Sequence, residues 1–392
     1  MAEAQIPFNR PYAVGSELDY VAEALEHGQL SGNGEITRRC SAWLEDRTGA
    51  TRVLLTHSCT GALEMAALLA GVGPGDEVIM PSFTFPSTAN AFALRGATPV
   101  FVDVCEETLN IDPVRVEAAV SPRTRAIVPV HYSGVACAMD SIETIAAAAG
   151  AIVIEDAAQG IMASYRGKAL GSIGALGTFS FHETKTLSSG EGGALLVNDP
   201  ELVERAEILL EKGTDRAAFF RGEIDRYTWR DLGSSFLMSE VGAAFLYAQL
   251  ESAEDILSRR TQAWERYHAG FEALEEEGLL RRPTVPDGCR HNGQAYWLLL
   301  PSPELRDRLI AALRERGIAA IFHYVPLHGT AAGRRFGRAA GDLSQTEDLA
   351  ARMVRLPLWV GLPGADVDRV VEAVDGRLRT AASAGLGVAE AG

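Results

Sequence analysis

The stretch SFHETKTLSSGEGGALLVND, residues 180–199, decides how the chain is to be read. An apolar run stops at Phe181, a polar segment carrying Lys185 follows, and Gly190, Gly192 and Gly193 lead into a second apolar run. Glycines in such a place permit tight turns and close backbone approach to a ligand. A plain hairpin with a solvated lysine would also carry this pattern, so the surrounding chain must choose between the two readings.

Outward from it, residues 50 to 250 alternate short β-branched runs with longer stretches of helical spacing. The candidate strands are Arg52–Leu55, Glu77–Met80, Pro99–Val104, Ala126–His131, Ala151–Asp156, Thr178–Phe181 and Ala194–Val197. Between several of them Thr60–Ala70, Ser87–Leu94 and Ser141–Ala149 read as helices. This alternation predicts an α/β fold, a large α/β/α layer sandwich around a mostly parallel sheet, whose ligands collect beyond the carboxyl ends of the strands. Ser239 to Leu274 reads as one long helix or two abutting ones, and the Pro/Gly-rich RRPTVPDGC that follows marks a boundary. Beyond it, apolar runs at Ala295–Leu300 and Ile318–His323 and helices near Glu304–Arg316 and Asp366–Leu378 predict a smaller C-terminal α+β unit. The expected division is a large unit over residues 1–250, a connecting helix and linker over 251–285, a small unit over 286–380 and a flexible tail over 381–392.

Composition narrows the function. With 392 residues and 47% hydrophobic content the chain can bury a core in each unit, which excludes a disordered polypeptide. A formal charge of −16 argues against nucleic acid as a partner. No apolar run approaches the ~20 residues that span a bilayer, and the acidic start MAEAQIPFNR lacks the features of an export signal, so a cytoplasmic location is expected. Five scattered cysteines without a CxxC pair indicate neither a disulfide framework nor a structural metal site.

Only three lysines occur, Lys168, Lys185 and Lys212. Lys212 sits beside a glycine that ends a helix, and Lys168 lies in the turn SYRGKALG, so both have surface explanations; Lys185 has none. A lysine at the mouth of an α/β sheet loses its proton readily and can form a Schiff base with a carbonyl cofactor. Pyridoxal 5'-phosphate is the natural candidate, and it makes three further demands. Its ring nitrogen calls for a buried carboxylate: Asp156 ends the apolar run AIVIED, with Glu155 alternating to the other face, although a helix N-cap aspartate would look alike. Its phosphate calls for free N–H groups at a helix start, which Cys59 and Thr60 can supply, as any capped helix could. Its ring calls for an aromatic, Phe83 or Phe85, either of which could equally be core. Other chemistries assemble less well: no GxGxxG follows the first strand, no GxxxxGK[ST] occurs, and Pro326 separates His323 from His328.

Together these residues resemble the DegT/StrS group of pyridoxal-phosphate-dependent sugar aminotransferases of fold type I. The likeness runs from FNRPYAVGSELDY through SCTGALEMAALL, PSFTFPSTANAFALRGA, VPVHYSGVACAMD, EDAAQG and SFHETKTLSSGEGG to FRGEIDRYTWRDLGSSFLMSE and FHYVPLH. Within the group it is closest to members that aminate C4 of dTDP-4-keto-6-deoxyglucose with L-glutamate as amino donor, giving a dTDP-4-amino-4,6-dideoxyhexose. The resemblance implies that Lys185 holds the cofactor covalently and relays a proton, Asp156 pairs with the ring nitrogen, Gln159 contacts the phenolic oxygen and Phe85 stacks on the ring. It further implies that Ser180 joins Cys59 and Thr60 around the phosphate, that His323 and His328 meet the nucleotide sugar, and that two copies form a homodimer with shared sites. One departure concerns the loop that reaches the partner's phosphate: where many members carry GxNxR this chain reads GSSFLM, with Ser235 for the asparagine and Leu237 for the arginine. In a dehydratase branch of the group histidine replaces the lysine, so Lys185 favours transamination. The competing expectations are amination of a 3-keto nucleotide sugar, or a cofactor-bound regulator without turnover.

Overall fold

The computed structural model describes residues 5–383. Seven of the runs read above become strands of one eight-stranded sheet. Its order is Arg52–Thr56, Gly193–Val197, Leu176–Ser180, Ile152–Asp156, Thr124–Ile127, Glu77–Pro81, Thr98–Val102 and the two-residue Arg338–Ala339. Within this sheet Gly193–Val197 alone runs antiparallel to its neighbours; the other pairings are parallel. Parallel strands are buried on both faces and so read as continuous apolar runs, which is why they stand out in the sequence.

Side-chain alternation splits each strand between two cores. Leu54, Val78, Ile154, Leu176 and Leu195 face the helices Cys59–Leu69 and Pro86–Ala93. Val53, Leu55, Phe179 and Leu196 face Glu35–Thr48 and Glu240–Glu251, while Ile79, Val100 and Ile127 face Pro113–Ala119 and Met139–Ala149. Helices on both faces of a mostly parallel sheet are the layer architecture expected from the alternation.

The segment Ser239–Leu274 divides into Glu240–Glu251 and Ala253–Gly270, interrupted at Ser252, followed by the short turn of helix Glu272–Glu276. A second core lies beyond. Tyr296–Leu299 pairs antiparallel with Met353–Leu356, and Ala253–Gly270, Pro303–Glu315 and Gly364–Ser383 pack against the pair through Trp264, Tyr267, Leu309, Val370 and Val374. The run Ile318–His323 forms no strand; it makes single bridges, Ile318 to Ile6 and Ile321 to Arg355. Ile6 is thereby drawn into this second core although it lies far from the rest of it in sequence. The last helix runs to Ser383, and the tail expected over 381–392 lies, from 384 onward, outside the described residues. No helix among the described residues is long and apolar enough to cross a membrane.

Candidate active site

The parallel strands deliver their carboxyl ends to one cavity of about 790 Å³. Ser58, Cys59 and Thr60 enter it after Arg52–Thr56, Thr84 and Phe85 after Glu77–Pro81, Asp156 at the end of its strand and Ser180 at the end of the next. The loop after Ser180 carries Lys185 to the same space, and the C-terminal part of the chain contributes His323, Tyr324 and Arg355.

Lys185 is the one lysine that lines the cavity; Lys168 and Lys212 are exposed elsewhere. Its loop is fixed by the Lys185 N–H donating to the His182 carbonyl at 2.9 Å. Burial lowers the proton affinity of its amine, outweighing the opposing pull of the Asp156 carboxylate, and the positive charge of Arg355 adds to the lowering. Asp156 is buried at 4% exposure. Its Oδ2 accepts the Thr88 hydroxyl at 2.7 Å and its Oδ1 the Ala158 N–H at 3.1 Å, so it closes a local turn and does not cap a helix. Glu155 points away from the cavity and accepts bonds from the N–H groups of Gly171, Ile173 and Gly174 and from His131 Nε2.

The helix Cys59–Leu69 opens directly onto the cavity. Ser58 caps it by accepting the Gly61 N–H at 3.1 Å, while the N–H groups of Cys59 and Thr60 have no acceptor among the described residues. The Thr60 hydroxyl meets Ser87 Oγ at 2.8 Å. Burial pushes the Cys59 thiol up to about 12, so it is a neutral group there. Gly193 makes this arrangement possible: a Cβ on it would stand 2.3 Å from the Cys59 backbone nitrogen. Gln159 accepts the Ser133 N–H at 2.8 Å and donates to the Tyr324 hydroxyl at 3.2 Å. Of the two phenylalanines, Phe83 is buried against Tyr132, His323 and Tyr324, whereas Phe85 is 57% exposed at the cavity mouth.

His323 lines the cavity with its Nδ1 at 3.0 Å from the Tyr132 hydroxyl and its ring against Tyr324; burial and then the charges of Arg355 and Lys185 hold it unprotonated. His328 lies outside the cavity lining, where Nδ1 meets Ser82 Oγ at 2.7 Å and Nε2 meets Glu347 at 3.1 Å. Ser235 is exposed, bridges to the Glu211 backbone, and does not line the cavity of its own chain. Three residues beyond the sequence reading belong to the site. Thr88 could have been suspected from its place in the first helical turn of PSTAN, but Tyr324 and Arg355 come from a part of the chain whose link to the sheet has no local signature.

Set beside known proteins, residues 11–375 match the model of the DegT/DnrJ/EryC1/StrS aminotransferase family. The chain is 37% identical over 377 residues to the spore coat polysaccharide biosynthesis protein SpsC of Bacillus subtilis, covering 94% of this chain and 96% of that protein. It is 35% identical over 369 residues to the GDP-perosamine synthase of Caulobacter vibrioides, covering 93% and 96%. Among solved structures the aminotransferase TlmJ of Streptoalloteichus hindustanus superposes with a TM-score of 0.88 at 33% identity, over 96% of this chain and 100% of that one.

Proposed function

Since the chain belongs to the DegT/DnrJ/EryC1/StrS aminotransferase family, we propose that it transfers an amino group from L-glutamate to C4 of dTDP-4-keto-6-deoxy-D-glucose, yielding a dTDP-4-amino-4,6-dideoxyhexose. At the coarser level it is a sugar aminotransferase of fold type I whose cofactor is pyridoxal 5'-phosphate. The observation that carries the reading is the convergence in one cavity of the Lys185 amine and two helix-start N–H groups, all without a partner among the described residues, with a buried carboxylate on Asp156.

These residues fit the cofactor. When bound, it supplies an aldehyde for an amine to condense with and a ring that draws electrons from the adjoining carbon. Lys185 Nζ, lowered in proton affinity by burial, would hold it covalently and then take and return the proton at the substrate carbon. Asp156 would keep the ring nitrogen protonated, with Thr88 holding the carboxylate in place. The N–H groups of Cys59 and Thr60 and the Ser180 hydroxyl would receive the phosphate, whose negative charge suits a helix N-terminus. Gln159 would meet the phenolic oxygen, and Phe85 would lie against the ring. His323, neutral and able to accept or donate, would meet the sugar.

We further read the enzyme as a homodimer in which Ser235 serves the site of the second copy, a role consistent with its exposure away from its own cavity. The test of the substrate is turnover of purified protein with L-glutamate and a panel of 4-keto and 3-keto nucleotide sugars, the products resolved by mass spectrometry. Amination of the 4-keto dTDP sugar is expected. Turnover of a 3-keto but not a 4-keto substrate overturns the assignment.

A further inference from the structure

Asn292 and Gln294 stand just before the strand Tyr296–Leu299, at 0% and 5% exposure. A polar side chain taken out of water is costly unless its groups find partners, and these find theirs on the two loops that face each other across the cavity. Asn292 Nδ2 donates to the Gln159 carbonyl at 2.8 Å and to the Ile161 carbonyl at 2.7 Å, in the turn that follows Asp156. Its Oδ1 accepts the Gln294 N–H at 3.0 Å. The fit is close, since a Cβ on Gly134 would stand 2.0 Å from that oxygen. Gln294 reaches the other way. Its Nε2 donates to the Thr184 carbonyl at 3.1 Å and its Oε1 accepts the Thr186 hydroxyl at 2.9 Å, so one amide holds the residue before Lys185 and the residue after it. Both ends of the amide are taken up in these bonds, so Gln294 acts through the loop although it lines the cavity.

The segment is itself held from behind. Arg260, midway along the helix Ala253–Gly270 and 2% exposed, donates from Nε to the Gly293 carbonyl at 3.2 Å and from Nη2 to the Gln294 carbonyl at 2.9 Å. The same helix packs into the second core through Trp264 and Tyr267, so Asn292–Gln294 is a strut joining that core to both loops. Apolar side chains would fill this volume without desolvating a guanidinium and two amides. Hydrogen bonds fix direction as well as volume, which is what a reacting group needs.

We propose that Gln294 is a positioning residue for Lys185: by holding Thr184 and Thr186 it sets the reach of the amine toward the cofactor, with Asn292 and Arg260 fixing Gln294 in turn. This rests on the aminotransferase reading above. The loop's own bonds, from the Lys185 N–H to the His182 carbonyl and from the Glu183 N–H to the Gly190 carbonyl, fix its shape and not its place in the cavity. From outside the loop come the exposed Asn9 amide, at 3.3 Å from the Glu183 carbonyl, and the buried Gln294. Covalent capture requires the amine nitrogen to add to the aldehyde carbon while the carbonyl oxygen leaves as water. The nitrogen must approach from about 3–3.5 Å along one direction, so a loop displaced by a fraction of an ångström reacts more slowly.

The test uses the full chain stripped of cofactor, as the parent and as Gln294→Met, Thr186→Val and Thr186→Ser. Each is mixed with pyridoxal 5'-phosphate, and capture on Lys185 is followed by borohydride quenching and peptide mass. Capture should slow about tenfold in Gln294→Met, which loses both bonds, and about threefold in Thr186→Val, which loses one. Thr186→Ser keeps the hydroxyl and should restore most of what Thr186→Val loses. Pyridoxamine 5'-phosphate lacks the aldehyde and binds without a bond to lysine, so its affinity should stay close to the parent value in all three. Should Gln294→Met fail to fold, the Thr186 pair decides alone, because valine keeps the shape of threonine. Capture at the parent rate in Thr186→Val and in folded Gln294→Met overturns the proposal. So does an equal loss of pyridoxamine 5'-phosphate binding, which would make the strut a support of the whole cavity. A parent chain that captures the cofactor on no lysine, or on Lys168 or Lys212, instead overturns the functional reading, whatever Gln294 does.

Discussion

Gly193 lies so close to Cys59 that a Cβ on the glycine would stand 2.3 Å from the Cys59 backbone nitrogen. The antiparallel strand thus packs directly against the start of the helix whose free N–H groups face the cavity. Gly193→Ala must displace one of them. The variant should lose cofactor on dialysis at least about tenfold faster than the parent, because two weakened charge-assisted hydrogen bonds are worth more than one order of magnitude. Retention equal to the parent's would show that the helix start does not hold the phosphate.

Lys185→Ala should abolish covalent capture of the cofactor, read by borohydride reduction and peptide mass, with a Tm within about 4 °C of the parent. Lys168→Arg and Lys212→Arg should be silent, since both lysines lie outside the cavity. Because burial lowers the amine's proton affinity, capture by the apoprotein should also proceed at lower pH than for an ordinary lysine, with its midpoint below 10.5. Equal loss from all three lysine changes would contradict the assignment.

Thr88 donates to Asp156 from within the buried floor of the site. Thr88→Val keeps the shape and removes the bond, which costs about 1.5–3 kcal/mol when one partner is charged. Both half-reactions, followed by stopped-flow absorbance, should slow about tenfold, and Asp156→Asn should slow both further. A variant that slows only the sugar half-reaction would mean that the hydroxyl serves substrate and not the carboxylate.

Glu77 gives a pH prediction unrelated to catalysis. Its side-chain bonds to Arg338 and, beyond the opposing effect of burial, to Arg123 and Ser121 hold it down to about 2, against an ordinary value of 4.5. The folded state thus binds the proton more weakly than the unfolded one, so the network stabilises fully above about pH 4.5 and its contribution is lost as pH falls toward 2. Urea unfolding across that window should lose stability more steeply in the parent than in Glu77→Gln. Equal slopes would rule out this network as the source.

The legible and illegible parts of the molecule differ in physical character. The strands from Arg52 to Val197 were readable because buried strands carry unbroken apolar runs, Asp156 because it ends such a run with a charge, and Lys185 because the other two lysines of the chain have surface explanations. Ile318–His323 has the composition of a strand but forms only single bridges, since its neighbours Ile6 and Arg355 each meet it at one residue. The break at Ser252 was half visible: one long helix and two abutting helices share the same apolar spacing there. Arg355 was invisible as a site residue because nothing in RMVRLPL distinguishes an arginine aimed into a cavity from one on a surface. Only the pairing of Met353–Leu356 with Tyr296–Leu299, and the fit of that pair over the lysine loop, brings it there.

The short pairing of Arg338 and Ala339 with Val100 and Phe101 has a further effect. It occupies the N–H and carbonyl groups along the outer margin of Thr98–Val102, with the Ala340 N–H donating to the Phe101 carbonyl besides. A bare margin of this kind is a template for another polypeptide to add on, and native proteins block it with short strands and charged residues. Over Val100 and Phe101 that flank therefore offers an added strand only a two-residue segment headed by the charged Arg338.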